Sequence, residues 1–149
     1  MARIRVTKEF NFEMAHALWN YDGPCKNIHG HSYKLFVTVI GETIDNQDNT
    51  KLGMVIDFTD LKAIVKKYVV DYFDHSVVVS SRAGKPEIKS VEQMFDKYYV
   101  VDYQPTCENL VTHMAALIRD KLPDQIELFS LRLVETATSY ADWFASDNP

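Results

Sequence analysis

The sequence predicts an α+β fold in which helices cover one face of an antiparallel sheet. Three patterns lead to this prediction: apolar residues that alternate over residues 2–16, an apolar stripe at helical spacing over 59–73, and a second such stripe after Pro105. In chain order the elements are strand, strand, helix, strand-like insert, helix and strand. We expect one domain spanning residues 1–149, a length sufficient for a hydrophobic core.

The first predicted strand covers residues 2–16. Its apolar side chains share one parity, and polar or charged side chains occupy the other; the apolar set is Ala2, Ile4, Val6, Phe10, Phe12 and Met14. A period of two indicates a half-buried strand. His16 falls on the apolar parity, so we expect its imidazole to face the interior.

A turn-rich loop with a Gly-Pro break covers residues 20–28, and a second strand is predicted from about His31 to Gly41. The polar segment 42–53 is interpreted as a hairpin connection. The segment "GMVIDF", residues 53–58, is predicted to form a short strand that leads into a helix.

The first helix is predicted over residues 59–73, with Asp57 or Thr59 as its N-cap. "DHSVVVSS" then begins a strand-like run, and residues 81–97 are expected to form a surface excursion with a short helix. "KYYVVDY" is a further strand candidate.

The second long helix is predicted to begin after Pro105, with Thr106 as its N-cap, and to stop at Pro123. "IELFSLRLVET" is the predicted closing strand. His113 falls in mid-helix and is expected to be a packing or surface residue.

Charge and composition exclude several classes of protein. The formal net charge of −5 argues against a general nucleic-acid-binding surface. No apolar run approaches the roughly 18 residues that a membrane span needs. The N-terminal segment lacks the apolar stretch of a signal peptide, so we expect a cytoplasmic protein. In that reducing compartment Cys25 and Cys107 are expected to stay free thiols, and Cys107 is interpreted as a small apolar filler.

The stretch "CKNIHGHSY", residues 25–33, suggests a metal centre. On an extended chain His29 and His31 lie on one face, with Cα atoms about 7 Å apart. His16 can supply a third ligand if the first two strands pair. Three neutral imidazoles leave a fourth zinc position open, which is typical of a catalytic site. The alternative is that the two histidines are polar side chains at a turn.

Three further sites have both a functional and a structural interpretation. Cys25 could supply a thiolate beside the metal, or be a fourth ligand or an inert loop residue. Asp74 and His75 could form a proton shuttle, or simply end a helix. Glu135 could bind a ligand with two N–H donors in a fork, such as a guanine-like or pterin ring, or be a surface carboxylate.

Several motifs in register resemble one family, the 6-pyruvoyltetrahydropterin and 6-carboxytetrahydropterin synthases. The resemblance covers nearly the whole chain and rests on "FNFEMAHAL", "CKNIHGHSY", "GMVIDFTDLK", "DYFDHSVV", "PTCENL" and "ETATSYADW". It implies the tunnelling fold (T-fold): a four-stranded antiparallel sheet with two helices on one face, assembled into an oligomeric barrel. Family members form rings, usually hexamers built as dimers of trimers, with active sites at subunit boundaries.

The resemblance also implies roles for individual residues. The zinc (Zn2+) ligands would be His16, His29 and His31. Catalysis would depend on Cys25 with the Asp74–His75 pair. Glu135 would anchor the pterin ring, and Thr106 and Glu108 would line the same pocket. The segment between His75 and Pro105 is longer than in compact members of the family.

The spacing of Cys25 resembles the carboxy-forming branch, because three residues separate it from His29. This implies conversion of 7,8-dihydroneopterin triphosphate to 6-carboxy-5,6,7,8-tetrahydropterin, with release of acetaldehyde and triphosphate, in the 7-deazaguanine (queuosine) pathway. Lys26 and Arg82 are candidates for holding the triphosphate. The alternatives are the pyruvoyl-forming reaction, a non-catalytic zinc- or pterin-binding module, and a structural metal domain with four protein ligands.

Overall fold

The sheet of this protein has six strands. The computed structural model describes residues 1–149, and its strands are β1 (Arg3–His16), β2 (His29–Glu42), β3 (Ser76–Ser80), β4 (Tyr98–Val101), β5 (Glu127–Thr136) and β6 (Ser139–Phe144), in the spatial order β4-β3-β1-β2-β5-β6. The run β1-β2-β5-β6 is antiparallel, whereas β3 pairs with β1 and β4 in parallel. The α+β prediction is confirmed.

The sheet has two strands more than the expected four, and both lie beyond β1. These strands are β3 and β4. The run Val77–Val79 of β3 is buried on both faces, which suits a parallel strand in the sheet interior, and β4 pairs with it. β6 was not predicted from the sequence. Trp143 is its only buried side chain, so its alternation of apolar and polar residues is weak.

Two long helical segments cover one face of the sheet. The first comprises α1 (Phe58–Val65), a π-helical turn (Lys66–Val70) and α2 (Asp71–Phe73), and the other is α4 (Cys107–Arg119). Both predicted N-caps are present: the Asp57 carboxylate accepts from Thr59 N at 2.8 Å, and Thr106 Oγ1 accepts from Asn109 N at 3.3 Å. Helix α4 ends at Arg119, one turn before Pro123.

The main core lies between this face and the helices. Its fully buried side chains include Leu35 and Val37 of β2, Leu61 of α1 and Leu110 and Met114 of α4. Burying one such side chain contributes about 1.5–3 kcal/mol. This core fixes the register of β1 against β2, from which the candidate site residues project.

The third helix, α3 (Lys85–Met94), packs on the opposite face. Val91 of α3 covers Val77 and Val79 in a second, smaller apolar cluster. The short helix predicted within residues 81–97 is therefore present, but the helices do not all lie on one face of the sheet.

The segment 53–58 is not a strand, contrary to prediction. Val55 and Ile56 are both buried although they are adjacent, which requires the backbone to bend rather than alternate. Ile44 closes the preceding connection, because its N–H donates to Met54 O and its carbonyl accepts from Gly53 N, each at 2.9 Å. Gly53 has φ +85°, a conformation that favours glycine.

None of the helices combines the length and the apolar character that crossing a membrane would require.

Candidate active site

Three histidines converge on the core face of the sheet, where β1 ends and β2 begins. The antiparallel register places His16 opposite His29, and Met14 opposite His31. One ring nitrogen from each histidine lies within 4.8 Å of the other two. Strand β2 starts at His29, two residues earlier than predicted, so both histidines of "HGH" lie on a strand and not at a turn.

Backbone carbonyls set the tautomers of two of these imidazoles. His16 Nδ1–H donates to Pro105 O at 2.7 Å, and His29 Nδ1–H donates to Asn27 O at 2.7 Å. Both Nε2 atoms are therefore free to act as ligands, and they lie 3.1 Å apart. Two tetrahedral ligands at about 2.0–2.1 Å from zinc lie roughly 3.3 Å apart, close to this spacing.

The environment of these rings suits a divalent cation. Burial lowers the pKa of His16, outweighing its hydrogen bond to Pro105, and so favours the neutral imidazole that a metal requires. His31 Nε2 is buried and lies 3.3 Å from Glu135 Oε1, but the angle is too poor for a hydrogen bond. A buried nitrogen without a partner costs about 1–3 kcal/mol, which a bound ion would relieve. The donor set thus fits zinc.

Cys25 is not a member of the histidine triad. It sits in a 3₁₀ turn (Pro24–Lys26) and is a half-buried free thiol. Leu18 N donates to Cys25 O at 2.9 Å, which folds the loop back toward the end of β1. The sulfur is not a member of the cluster within 4.8 Å. Three protein ligands, and not four, therefore surround the candidate metal position.

Glu135 projects from β5 beside the triad. In the β2–β5 register Lys34 faces Val134, which places Glu135 next to Tyr33 on the core face. Its side chain is one-fifth exposed. Cys107, at the start of α4, lies close by: burial and the Glu135 carboxylate raise the pKa of the Cys107 thiol to about 12, and its Sγ–H donates to Leu133 O at 3.3 Å.

Thr106 and Glu108 flank Cys107 and are placed differently from each other. The hydroxyl of Thr106 accepts the capping hydrogen bond of α4, whereas Glu108 is exposed in the first turn of that helix. Cys107 is the residue of this segment that approaches Glu135. The interpretation of Cys107 as a packing residue fits a thiol that stays protonated.

Tyr33 of β2 lies next to the triad and was not among the predicted site residues. It is fully buried, stacks on Phe12 with ring centroids 5.3 Å apart, and has no hydrogen-bond partner for its hydroxyl among protein atoms. Burial, followed by the charge of Glu135, raises its pKa. Its parity, shared with His29 and His31, is the signal that could have identified it.

The Asp74 and His75 side chains are in contact at the end of α2. Asp74 Oδ2 lies 3.0 Å from His75 Nδ1, and Asp74 Oδ1 accepts from Glu13 N at 2.9 Å. Burial raises the pKa of Asp74, but the hydrogen bond from Glu13 N and the neighbouring His75 outweigh burial, so the net pKa lies below its usual range. The His75 imidazole is three-quarters exposed and available to another molecule.

The Asp74–His75 pair and the histidine triad lie on opposite faces of the sheet. His75 borders a depression of about 340 Å³ whose lining is mostly of the outward-facing parity, including Glu13, Ala15, Ser32 and Val77; Met14 and His31 also border it. The triad has the inward-facing parity of β1 and β2. Within one chain the pair therefore lies mainly on the outward-facing side of β1 and β2, and of the triad only His31 borders the same depression.

The two candidate cations for a triphosphate lie around the loop that carries Cys25. Lys26 borders a largely apolar groove of about 440 Å³ between this loop and α3. Arg82 borders a smaller depression with Trp19 and Gln104. Both side chains are exposed.

Comparison with known proteins finds one family. Residues 5–145 match the sequence model described as 6-pyruvoyl tetrahydropterin synthase. The chain is 37% identical over 142 residues to 6-carboxy-5,6,7,8-tetrahydropterin synthase of Haemophilus influenzae, which covers 94% of this chain and 98% of that protein. It is 32% identical over 142 residues to the protein of the same name from Rickettsia conorii, covering 93% and 99%.

Solved structures give the same fold. The 6-pyruvoyl tetrahydropterin synthase of Caenorhabditis elegans superimposes with a TM-score of 0.68 at 22% identity, covering 97% of this chain and 96% of that one. The Plasmodium falciparum protein of the same name superimposes with a TM-score of 0.69 at 19% identity, covering 96% and 98%. These similarities establish that the chain has the T-fold.

Proposed function

Because this chain belongs to the 6-pyruvoyl tetrahydropterin synthase family, we propose that it is a zinc-dependent lyase of the carboxy-forming branch. It converts 7,8-dihydroneopterin triphosphate and one water molecule to 6-carboxy-5,6,7,8-tetrahydropterin, acetaldehyde and triphosphate. The observation that carries this proposal is the ring of three histidines beside Glu135, with only three protein ligands around the candidate metal position. The names of the bacterial relatives and the three-residue spacing between Cys25 and His29 support the carboxy-forming outcome.

His16, His29 and His31 hold the zinc ion, which supplies Lewis-acid polarisation of the oxygens on the substrate side chain when bound. Glu135 accepts two hydrogen bonds from the N–H groups of the pterin ring and so fixes the side chain over the triad. Thr106 and Glu108 line the entrance to this pocket.

Proton transfer is assigned to Cys25 and to the Asp74–His75 pair. The Cys25 thiolate takes a proton from the substrate side chain, and His75, oriented by Asp74, returns a proton on the other face. The exposed His75 imidazole and its position across the sheet from its own triad favour action on the triad of a neighbouring copy. A ring of chains, a hexamer built as a dimer of trimers, supplies that geometry.

The setting we propose is the cytoplasm, in 7-deazaguanine (queuosine) biosynthesis. Both cysteines are free thiols, which fits a reducing compartment. Lys26 and Arg82, with side chains from neighbouring copies, neutralise the triphosphate.

Product analysis tests this function. Purified protein is incubated with 7,8-dihydroneopterin triphosphate, with and without a chelator, and products are identified by mass spectrometry together with an acetaldehyde assay. We expect a 6-carboxy product and equimolar acetaldehyde, both lost with the chelator. A pyruvoyl product without acetaldehyde would assign the chain to the pyruvoyl-forming reaction. Absence of turnover under every condition would favour the alternative of a non-catalytic binding module.

A further inference from the structure

Lys97 reaches from the start of β4 to the end of the first helical segment. Its Nζ donates to the carbonyl oxygen of Asp71 at 2.8 Å and to that of Asp74 at 2.6 Å. The side chain is partly buried, and its own carbonyl accepts from Val77 N at 3.1 Å. Lys97 therefore joins β4, β3 and the helix end.

The carbonyls between these two are also paired. Tyr99 of β4 donates its hydroxyl to Tyr72 O at 2.8 Å, and Ser76 Oγ donates to Phe73 O at 2.6 Å. The last carbonyls of a helix have no partner within the helix, and they are commonly satisfied by a turn through a left-handed glycine. Here side chains supply the hydrogen bonds, and Lys97 supplies two of them together with a positive charge that suits a helix C-terminus.

His75 follows this helix end, and its backbone adopts the left-handed conformation. Its φ is +59°, at a position where glycine is usual, and such a conformation costs a non-glycine residue about 1–3 kcal/mol. Glu13 O accepts from His75 N at 2.6 Å, and Glu13 N donates to Asp74 Oδ1. Contacts from β1 and from Lys97 thus hold Asp74 and His75 from both sides.

We infer that Lys97 is a positioning residue for the Asp74–His75 pair, holding the helix end so that His75 keeps the backbone conformation that presents its imidazole. This inference rests on the proposed role of the pair in proton transfer. It also gives a function to the long segment between His75 and Pro105, since that segment delivers Lys97 and Tyr99 to the helix end.

The charge of Lys97 acts on Asp74 as well. The charged groups around Asp74 are His75 beside it, Lys97 from β4, the Glu13 carboxylate on β1, which accepts from Ser32 Oγ at 2.7 Å, and Asp71 one turn back. Lys97 is one of the groups that lower the pKa of Asp74, after the hydrogen bond from Glu13 N–H and the contact with His75. Removal of the ammonium group is therefore expected to raise this pKa.

The test compares Lys97→Met with Lys97→Arg, and uses Lys89→Met on the exposed side of α3 as the matched control. General acid–base groups contribute about 10²–10⁴-fold, so partial misplacement of the pair by K97M is expected to lower kcat about tenfold. KM should stay within about twofold, because Lys97 Nζ is bound to the carbonyl oxygens of Asp71 and Asp74 and the ring anchor is Glu135. The acid limb of the kcat–pH profile should move to higher pH.

The conservative and control variants separate positioning from stability. K97R retains the charge and the donors, so its kcat should remain within about threefold of wild type, with an unshifted acid limb. K89M should match wild type throughout. If K97M does not fold, Lys97→Gln, which is uncharged but polar, replaces it with the same expectations.

A folded K97M or K97Q variant with wild-type kcat and an unshifted pH profile would overturn the inference, even if its melting temperature fell. Wild-type turnover in the same assay is the separate test of the proposed function. If the wild-type protein does not turn over the substrate, that function is refuted. If the wild-type protein is active and the Lys97 variants have the same kcat and pH profile, only the positioning role is refuted.

Discussion

Replacement of Glu135 by glutamine probes the proposed pterin anchor with almost no change in side-chain volume. Glu135 is one-fifth exposed and lies 3.3 Å from His31 Nε2, without hydrogen-bond alignment. Both carboxylate oxygens are acceptors, which matches two N–H donors of a pterin ring. Glutamine keeps one acceptor and presents an NH₂ group to the second ring donor.

The size of the effect follows from these contacts. A hydrogen bond to a charged group contributes about 1.5–3 kcal/mol, and a buried donor left without a partner costs about 1–3 kcal/mol. For a site that is one-fifth exposed we expect a net loss of about 2–4 kcal/mol, or roughly 30- to 1,000-fold in Kd. The stability of the ligand-free protein should change little, because the Glu135 carboxylate has no strong partner there.

The assay is titration of the protein with a pterin that lacks the triphosphate, followed by fluorescence or calorimetry. Glu127→Gln is the matched control, since Glu127 lies on the same strand, is two-thirds exposed and pairs only with Arg3. We expect E127Q to bind like wild type. E135Q binding within threefold of wild type would refute the anchoring role of Glu135.

Three further outcomes follow from the site. Cys25→Ala should reduce turnover at least about 100-fold while zinc content stays unchanged, because the sulfur lies outside the histidine cluster; loss of zinc instead would make Cys25 a ligand. Tyr33→Phe should stabilise the ligand-free protein by about 1 kcal/mol in denaturant unfolding, since the lost hydroxyl has no protein partner and the stack on Phe12 remains; marked destabilisation would contradict this. Iodoacetamide at pH 8 should modify Cys25 and spare Cys107, whose thiolate fraction at a pKa of about 12 is only about 10⁻⁴; mass spectrometry that finds Cys107 alkylated first would contradict the burial argument.

The convergence of the three histidines could be predicted from local pattern because strand parity controls it. His16 shares the apolar parity of β1, and His29 and His31 share one parity of β2, so pairing of the two strands was enough to converge the three rings. Glu135 was singled out as a carboxylate at the end of the closing strand, and the β2–β5 register places it beside Tyr33. Such periodicities are properties of the chain itself, and tertiary packing did not override them.

The arrangement of the Asp74–His75 pair could not be predicted in the same way. It depends on the left-handed backbone at His75, on hydrogen bonds to Glu13 that lies 61 residues from Asp74, and on Lys97 from a later strand. None of these contacts leaves a local period in the sequence. The bend at Val55 and Ile56 was missed for a related reason, since two adjacent buried residues look like a buried strand until the helix that they contact is known.

The proposed reaction requires that His16, His29 and His31 hold one zinc ion. The most direct test of this requirement is to strip the purified protein of metal and titrate zinc back while turnover of the pterin triphosphate is followed. We predict that turnover rises linearly and saturates at one zinc per chain, and that His29→Ala neither retains zinc nor turns over substrate. Full turnover by the metal-free protein, or one zinc per chain retained by His29→Ala, would contradict this requirement.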